Sequence, residues 1–401
     1  MSANSQGPTS SVDLASFKQN WQGNDRYFKM LAVVSQLSRL FSESSTPYID
    51  YRLVENLFCT YYSAINDARL CTAYDARIGQ LGIGIKTFIL GKSHKLEKVA
   101  EFNSLRAELN KYKGIDLARQ LALFRNERIL FSQRTYGLTD SLYHIVGRRE
   151  ELLEIFNHPY PLIDVDAIKS VKEGNAGSIS FTDGHHDYSF NNSKSVLMMR
   201  FVTPSEHKVV PIEILQDPFS LLERLLPDPA ITPPTQEHLA KGSRYVVLPL
   251  YGVRRRTKYV PEKSGLNQWN AGGRQRQPNE VYIPIPKQIH RTYPDFFPDR
   301  DTPFTLILPN GASLSAKVCQ DGGKALMSNP NQDLGKWILR DVLQLKEGEL
   351  VTMDTLNKYG MDSILVRKVE SLEEPATYKI DFCRNGYERY DQFTQGAEGE
   401  I

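Results

Sequence analysis

The chain has 401 residues, of which 40% are hydrophobic and 24% are charged, and its formal net charge is +2. This length allows two or three domains, each with its own core, and the composition is that of an ordinary soluble globular protein. The longest apolar runs, around VVLPLY and FTLILP, are far shorter than the roughly 20 residues that a membrane-spanning helix needs, so we expect no membrane segment.

The N-terminal segment and the cysteines indicate the cellular compartment. The segment MSANSQGPTSSVD is polar and lacks the charged start and the apolar stretch of a secretion signal, so we expect a cytoplasmic protein. Cys59, Cys71, Cys319 and Cys383 lie far apart and form no CxxC pair. This spacing argues against both a zinc site and a disulfide framework.

The first half of the chain has the pattern of an α/β unit. From about Asp13 to Asp67, apolar residues recur at helical spacing in FKMLAVVSQLSRLF and VENLFCTYYSAI. The strand GIGIKTFIL follows, and the next stretch, SHKLEKVAEFNSLRAELNKY, is predicted to be a helix that Ser93 caps. Further on, ISFTDGHHDYSF is predicted to be a β-hairpin around an Asp-Gly turn.

The chain changes character at LLPDPAITPPTQEHLAKGS, where prolines and small polar residues replace periodic apolar ones. We therefore predict a first domain at 1–226, a linker at 227–243 and a second domain at 244–401. The second domain is predicted to be mainly β, a small barrel with one or two helices such as GKWILRDVLQL. Its strand-like runs are RYVVLPLY, EVYIPIP, FTLILPNG, SLSAKVCQ and SILVRKV.

The second domain carries a basic arm and two long polar segments. Between Tyr251 and Arg276 the only acid is Glu262, and the cations are Arg254, Arg255, Arg256, Lys258, Lys263, Arg274 and Arg276. The polar segments, 253–280 and 320–337, mix Arg, Asn, Gln and Lys where a plain barrel needs only short turns. Arg can grip a guanine edge, Asn or Gln an adenine edge, and Lys the phosphates of DNA. Long solvated loops are the alternative interpretation.

The amino-acid sequence of this half resembles that of the C-terminal DNA-recognition domain of NgoFVII-type and BfiI-type restriction endonucleases. The stretches that carry the resemblance are SGLNQWNAGGRQR, NEVYIPIP, FFPDRDTPFTLILPNG, AKVCQDGGKALMSNPNQDLGKWILR and DSILVRKV, within about Tyr245 to Phe382. The resemblance implies the pseudobarrel fold of the plant B-three DNA-binding domains, with two arms that enter the major groove of double-stranded DNA.

Carried over by position, the resemblance assigns candidate DNA-binding residues to each arm. Those of the first arm are Asn267, Gln268, Asn270, Arg274 and Arg276, after the basic residues Arg254, Arg255, Arg256 and Lys258. Those of the second arm are Lys324, Ser328, Asn329, Asn331 and Lys336. Two aromatic residues of these arms, Trp269 and Trp337, are expected to be packing residues instead.

Relatives with this recognition domain often carry a phospholipase-D-type nuclease, which needs a histidine two residues before a lysine. None of the eight histidines precedes a lysine at that spacing, so the motif argues against this mechanism. An HNH nuclease is also disfavoured, because His185 and His186 lie in an Asp-Gly turn without the flanking pattern. The remaining common solution is a PD-(D/E)XK nuclease domain, in which acids hold Mg²⁺ and a lysine serves the attacking water.

The stretch DARIGQLGIGIKTF supplies part of such a site. Asp75 and Lys86 are eleven residues apart, close enough for a hairpin to bring them together. Gly82 and Gly84 share the strand face of Lys86 and are expected to leave space for a DNA backbone. Gly84, however, occupies the position of the second acid, so that acid must come from elsewhere.

Some restriction enzymes of this fold have moved the second acid to the helix after the lysine strand. Glu97 and Glu101 lie one turn apart in the predicted helix, and we favour Glu101 slightly. Glu55, on the preceding helix, is a further candidate acid, and Asp75, Glu101 and Glu97 are the candidate metal ligands. The alternative is that Glu97 and Glu101 form exposed helical pairs with Lys98, Arg106 or their neighbours.

Together these patterns predict a type II-like restriction endonuclease that binds a specific DNA sequence and uses Mg²⁺ to hydrolyse phosphodiester bonds, as in defence against phage. A homodimer is plausible, because cutting both strands requires two active sites or sequential nicking. The competing interpretation is a DNA-binding protein without catalysis, such as the recognition subunit of a larger restriction system. A helicase or methyltransferase partner would belong to such a system.

Overall fold

A six-stranded mixed sheet forms the centre of the first half of the chain. The computed structural model describes residues 17, 20–68, 72–92, 94–223, 245–255, 257–369, 375–384 and 386–387. The strands of this sheet, in spatial order, are β1 (Ile65–Asn66), β2 (Ala76–Ile78), β3 (Leu81–Ile89), β5 (Asp140–Arg149), β6 (Leu152–Pro159) and β11 (Lys208–Pro211). Only β3 and β5 run parallel, which requires a long crossover between them.

Helices cover one face of this sheet, as the sequence predicts. Helices α1 (Asp25–Gln36) and α2 (Tyr51–Tyr62) confirm the helical prediction for FKMLAVVSQLSRLF and VENLFCTYYSAI. The Asp50 side chain caps α2 by accepting a hydrogen bond from the Arg52 backbone N–H at 2.9 Å. Both helices pack on the apolar side of β3, where Ile83 and Ile85 are buried.

A second, antiparallel sheet and the longest helix cover the opposite face. The helix α4 (Gly114–Tyr136) makes the crossover, after a short helix α3 (Arg106–Leu109). The strands of the second sheet, in spatial order, are β4 (His94–Glu101), β10 (Val196–Val202), β9 (Asp187–Asn191), β8 (Ile179–Thr182) and β7 (Lys169–Glu173). The predicted β-hairpin at 179–190 is confirmed by the pairing of β8 with β9.

The prediction of a helix at 93–112 is wrong for its first eight described residues, which form strand β4. Exposure alternates along β4: His94, Leu96 and Lys98 are exposed, whereas Lys95 and Glu97 are half-buried. Strand β10 pairs along the whole of β4. Pairing with a strand about 100 residues away overrides the local helical spacing. Ser93, the predicted cap, lies outside the described residues.

The second half is built around a seven-stranded sheet that nearly closes into a barrel, because its edge strands approach each other. In spatial order the strands are β12 (Tyr245–Pro249), β19 (Ser363–Lys368), β20 (Thr377–Cys383), β16 (Phe304–Ile307), β17 (Ser313–Cys319), β18 (Ala325–Ser328) and β15 (Ile283–Pro284). The mainly β prediction is confirmed for the described part of this half. The predicted linker at 227–243 lies outside the described residues.

Four further α-helices, a small hairpin and several short 3₁₀ helices complete the described structure. The helices are α5 (Pro218–Glu223), α6 (Lys287–Thr292), α7 (Asp333–Gly335), which continues as a π-helical segment (Lys336–Val342), and α8 (Met353–Tyr359). The hairpin consists of β13 (Gly252–Arg254) and β14 (Thr257–Tyr259). Within the ranges described above, no helix is long and apolar enough to cross a membrane. Cys59, Cys319 and Cys383 are buried free thiols, and Cys71 lies outside the described residues.

Helix α4 also joins the two halves. The Phe131 ring stacks on Tyr359 with ring centroids 5.0 Å apart, and the Tyr136 hydroxyl donates a hydrogen bond to Asp381 Oδ1 at 2.6 Å. Arg77, on β2, forms an ion pair with the buried Asp67 and donates a hydrogen bond to the Pro309 carbonyl at 3.2 Å. The sheet of the first half is thus fastened directly to the barrel.

Candidate active site and DNA-binding surface

The β2–β3 hairpin places Asp75 beside the strand that carries Lys86. A two-residue turn brings Ala76 opposite Ile83, and the Asp75 backbone N–H donates to the Ile83 carbonyl at 2.9 Å. The Ile85 backbone N–H then donates to Asp75 Oδ2 at 2.7 Å. The Asp75 carboxylate is therefore held at the middle of β3 by Ile85, the residue that directly precedes Lys86.

Glu55, Asp75 and Lys86 share one electrostatic environment. Glu55 is only 7% exposed on α2, and burial, followed by the charge of Asp75, raises its pKa to about 7, whereas Lys86 lowers it. Burial also raises the pKa of Asp75, and here too the charge of Lys86 acts in the opposite direction. Two acids and one lysine from three separate elements thus meet at one place.

Of the two glutamates proposed for the second acid, Glu97 lies within the influence of Lys86. Burial raises the pKa of Glu97, and the charges of Lys95, Lys86 and Arg148 lower it. Glu101, which we favoured from the sequence, instead forms an ion pair with Lys98 at 3.1 Å and accepts a hydrogen bond from Asn103.

The irregularity in β4 explains why these two glutamates differ. Residues four apart on a regular strand lie on the same face. The β4–β10 pairing shifts register after Leu197, which pairs with Ala100, while Met198 pairs with Lys98. Val99 is the extra residue of a bulge, and a bulge re-aims the side chains beyond it.

Gly84 faces buried tyrosine rings, which corrects the expectation that it leaves space for a DNA backbone. A Cβ atom at Gly84 would lie 2.8 Å from the rings of Tyr143 and Tyr160, and one at Gly82 would lie 2.7 Å from the Tyr74 ring. Those three tyrosines are buried. An acid at position 84 would therefore collide with the core, so the second acid has to come from another element.

The donor set suits a hard divalent cation that the substrate helps to hold. Among the residues that the structure describes, no three His, Cys, Asp or Glu side chains converge closely enough to hold a metal by themselves. Mg²⁺ commonly takes one or two protein carboxylates and completes its shell with water and substrate phosphates. Asp75 and Glu55, which influence each other, are two carboxylates of this kind, and Glu97 is linked to them through Lys86.

In the first arm, the candidates Asn267 and Gln268 are buried. The Asn267 amide donates to the carbonyls of Pro261 and Val351 at 3.0 and 2.9 Å, and its oxygen accepts from the Val351 backbone N–H at 2.8 Å. Gln268 donates to Glu280 at 3.3 Å. Their burial argues against base contacts and assigns them to holding the arm in shape.

Glu280 organises the exposed part of the first arm, a role that its sequence position did not reveal. It is 3% exposed and forms ion pairs with Arg274 and, at 3.6 Å, with Arg276. Arg276 also donates to the carbonyl of Ala271 at 2.6 Å. Arg274 is exposed, as is Asn270, so these two candidates are accessible to DNA while Arg276 is largely engaged.

Arg340, on the π-helical segment, is a second structural residue that sequence reasoning missed. Its guanidinium donates hydrogen bonds to the Pro278 carbonyl at 3.0 Å and to Asn279 Oδ1 at 2.8 Å. It also donates to the carbonyls of Leu345 and Lys346. Arg340 thereby fixes the C-terminal end of the first arm to the helical segment.

The second arm has one buried and four exposed candidates. Ser328 is fully buried and its hydroxyl oxygen accepts a hydrogen bond from the Leu334 backbone N–H at 2.9 Å, so it holds the start of α7. The exposed candidates are Lys324, Asn329, Asn331 and Lys336.

The basic residues of the β13–β14 hairpin also divide. Arg254 and Arg255 are exposed at its turn. Lys258 instead pairs with Asp362 at 2.8 Å and lies over the Tyr251 ring, 4.4 Å from its centroid. Arg256 lies outside the described residues. The hairpin tip therefore presents positive charge to solvent, while its base is held by an ion pair.

Comparison with known families covers the second half. The family model described as the NgoFVII C-terminal B3-like DNA-binding domain matches residues 246–370. No curated protein matches the chain. The matched residues do not include Asp75, Lys86 or Glu97, which all lie in the first half of the chain. The barrel of this chain is thus similar to the recognition domain of a restriction-enzyme family, and this likeness supports sequence-specific binding of double-stranded DNA.

Proposed function

We propose that the chain is a type II-like restriction endonuclease, in which the barrel selects a DNA sequence and the first half hydrolyses phosphodiester bonds with Mg²⁺. The observation that carries the proposal is that the charge of Lys86 acts on three acids, Glu55, Asp75 and Glu97. Acids in a partly buried site with perturbed pKa values and a lysine are a common mark of a functional site. The similarity of the barrel to a restriction-enzyme recognition domain supplies the DNA context.

In this proposal each exposed candidate of the barrel has a distinct task. The amides of Asn270, Asn329 and Asn331 are suited to adenine edges, and Arg274 to a guanine edge. The other exposed cations are assigned to phosphates, which position the DNA without specifying its sequence. Those cations are Arg254, Arg255, Lys324 and Lys336.

Asp75 and Glu97 would hold the metal ion, with Glu55 as a further acid. The ion, when bound, lowers the pKa of a water molecule and stabilises negative charge on the phosphate. Lys86 orients the attacking water or balances the anionic charge that develops during hydrolysis. Ile85, through its backbone N–H, keeps the Asp75 carboxylate in one orientation. Glu55, whose pKa is about 7, can exchange a proton near neutral pH.

The test is cleavage of a plasmid library by purified protein, with Mg²⁺ and with EDTA, followed by sequencing of the ends. The parent should cut only with Mg²⁺, and Lys86→Ala should abolish cutting but retain specific DNA binding. Lys92→Ala, which changes an exposed lysine just after β3, is the matched control and should cut like the parent. The ratio of nicked to linear product would tell whether two active sites act together, as in a homodimer.

Two outcomes would overturn the proposal. If Lys86→Ala cuts as well as the parent, the assigned site is wrong. If the parent retains specific DNA with Mg²⁺ present but makes no cuts, the chain is a recognition protein or the recognition subunit of a restriction system whose nuclease is another chain.

A further inference from the structure

A pocket lies where helix α4 meets the barrel, and neither of the sites described above uses it. Its volume is about 290 Å³. Strand β4 and α4 form one side, and Tyr359, Gly360 and Arg384 of the second half form the other. We refer to it as the junction pocket.

The junction pocket is strongly basic. Arg125 and Arg128 of α4 line it together with Arg384, and none of the thirteen lining residues that the structure describes is Asp or Glu. A small cavity with three guanidinium groups and no carboxylate concentrates positive potential, because low-dielectric walls focus the field. Such a cavity favours an anion.

Arg125 is a buried guanidinium whose positive charge an anion in the pocket would balance. Its side chain is 2% exposed, and its Nη atoms donate to the Pro161 carbonyl at 2.5 Å and to the Tyr143 hydroxyl at 3.4 Å. Its Nε has no hydrogen-bond partner among the described residues. A buried charge is costly unless an opposite charge pairs with it.

The ionisable groups around Arg125 do not supply that opposite charge. They are tyrosines, among them Tyr160 and Tyr188, and His186, none of which carries a negative charge at neutral pH. Burial raises the pKa of both hydroxyls, so these side chains stay neutral at physiological pH. Within the described part of the chain, no ion pair joins Arg125 to a carboxylate.

We propose that the junction pocket binds a small phosphorylated ligand of mononucleotide size. The planar fork of arginine matches phosphate oxygens in pairs, which favours phosphate over a spherical anion. Tyr160, Tyr359 and Ile129 provide aromatic and apolar walls against which the ring of a base can pack. The volume lies at the lower end of small-molecule sites and is too small for duplex DNA.

Binding at this pocket connects the two halves, because each contributes an arginine. A ligand held by Arg125 and Arg384 is bound only while α4 and the barrel keep their positions, so it stabilises that arrangement by mass action. The inference does not depend on the proposed nuclease activity, since no residue of the Asp75 site lines the pocket.

The experiment is thermal unfolding and calorimetric titration of the full chain with inorganic phosphate, with each of the four common nucleoside monophosphates and with adenosine. At least one monophosphate should raise the melting temperature, phosphate alone should act more weakly, and adenosine should have no effect. Arg384→Ala, on the exposed rim, should weaken binding at least about tenfold. Arg125→Gln should abolish it.

Two control variants separate the junction pocket from other basic surfaces. Arg119→Ala changes an exposed arginine of α4 outside the pocket, and the double variant Arg254→Ala, Arg255→Ala removes charge from the barrel hairpin. Both should bind the monophosphate like the parent. The proposal is overturned if no phosphorylated probe binds the parent, if folded Arg384→Ala binds as tightly as the parent, or if only the hairpin variant loses binding.

Discussion

The proposed active site and the DNA-binding arms use polar residues in opposite ways. In the first half, Asp75, Lys86 and Glu97 come from separate parts of the chain, and the charge of Lys86 acts on both acids. In the arms, polar residues lie close in sequence, yet Asn267, Gln268 and Ser328 are buried. Asn267 and Ser328 bind backbone groups, and Gln268 binds the Glu280 side chain. Buried polar groups in proteins are nearly always hydrogen-bonded, so part of the polar side chains in such arms serves the interior. Polar composition therefore overestimates the DNA-contacting surface of the arms.

The largest effect should follow from restoring the missing acid in the strand. Gly84→Asp places a Cβ 2.8 Å from two buried tyrosine rings and a carboxyl group in the core. Overpacking and an unpaired buried carboxyl group together should lower the free energy of unfolding by more than about 4 kcal/mol. Urea denaturation measures this loss. Gly272→Ala, at a barrel glycine with open space around it, should change stability little.

A gain of cleavage in a stable Gly84→Asp protein would contradict this account. It would mean that the tyrosine core yields and that position 84 can hold the second acid after all.

The next effect is a pH dependence that belongs to the first half. Burial, followed by the charge of Asp75, raises the pKa of Glu55 to about 7, while a glutamate in the unfolded chain titrates near about 4.3. The folded state therefore binds more protons between these values, and stability without metal should fall as the pH rises from about 4.5 to about 7. Glu55→Gln should flatten this fall by on the order of 3 kcal/mol.

Denaturation in EDTA at several pH values measures that slope. Glu101→Gln is the matched control, because Glu101 lies in an exposed ion pair, and its slope should equal that of the parent. If the free energy of unfolding of Glu55→Gln varies with pH as in the parent, the pKa of Glu55 is not raised as described.

The choice between the two glutamates of β4 is tested by cleavage rate. Glu97→Gln should reduce cleavage by at least about 100-fold, whereas Glu101→Gln should stay within a few-fold of the parent, because its carboxylate pairs with Lys98. Single-turnover cleavage at saturating Mg²⁺ gives both numbers. The reverse ranking would restore the assignment that the sequence favoured.

The smallest effect distinguishes two asparagines of one arm. Asn267→Ala leaves two carbonyls and one backbone N–H without their partner and should lower the free energy of unfolding by about 1–3 kcal/mol. Asn270→Ala should leave stability nearly unchanged and weaken specific DNA binding. Denaturation and a binding assay on both variants check this. Equal losses of stability would show that the exposed asparagine also supports the arm.

The sequence was most informative where local pattern and final structure agree. Helices α1 and α2 and the strands of the barrel follow from apolar periodicity and turn residues, because each is an amphipathic element packed on the core of its own half. Asp75 and Lys86 were predictable for the same reason, since a hairpin is a local structure.

Features that depend on distant parts of the chain could not be predicted in this way. The pairing of β4 with β10 converts a helical spacing into a strand, and the bulge at Val99 then decides which glutamate approaches Lys86. The collision at Gly84 depends on Tyr143 and Tyr160, which are 59 and 76 residues further along the chain. No local pattern carries such contacts.

The fastening of β2 to the barrel bears on the exchange of recognition domains between enzymes. Arg77 lies two residues after Asp75 and reaches the carbonyl of Pro309, while Tyr136 reaches Asp381. A chimaera that replaces the barrel must keep a carbonyl at the position of Pro309 and a carboxylate at the position of Asp381. Otherwise Arg77 and Tyr136 lose these hydrogen-bond partners. New specificity is therefore easier to introduce by changing the arms on this barrel than by transplanting a whole barrel.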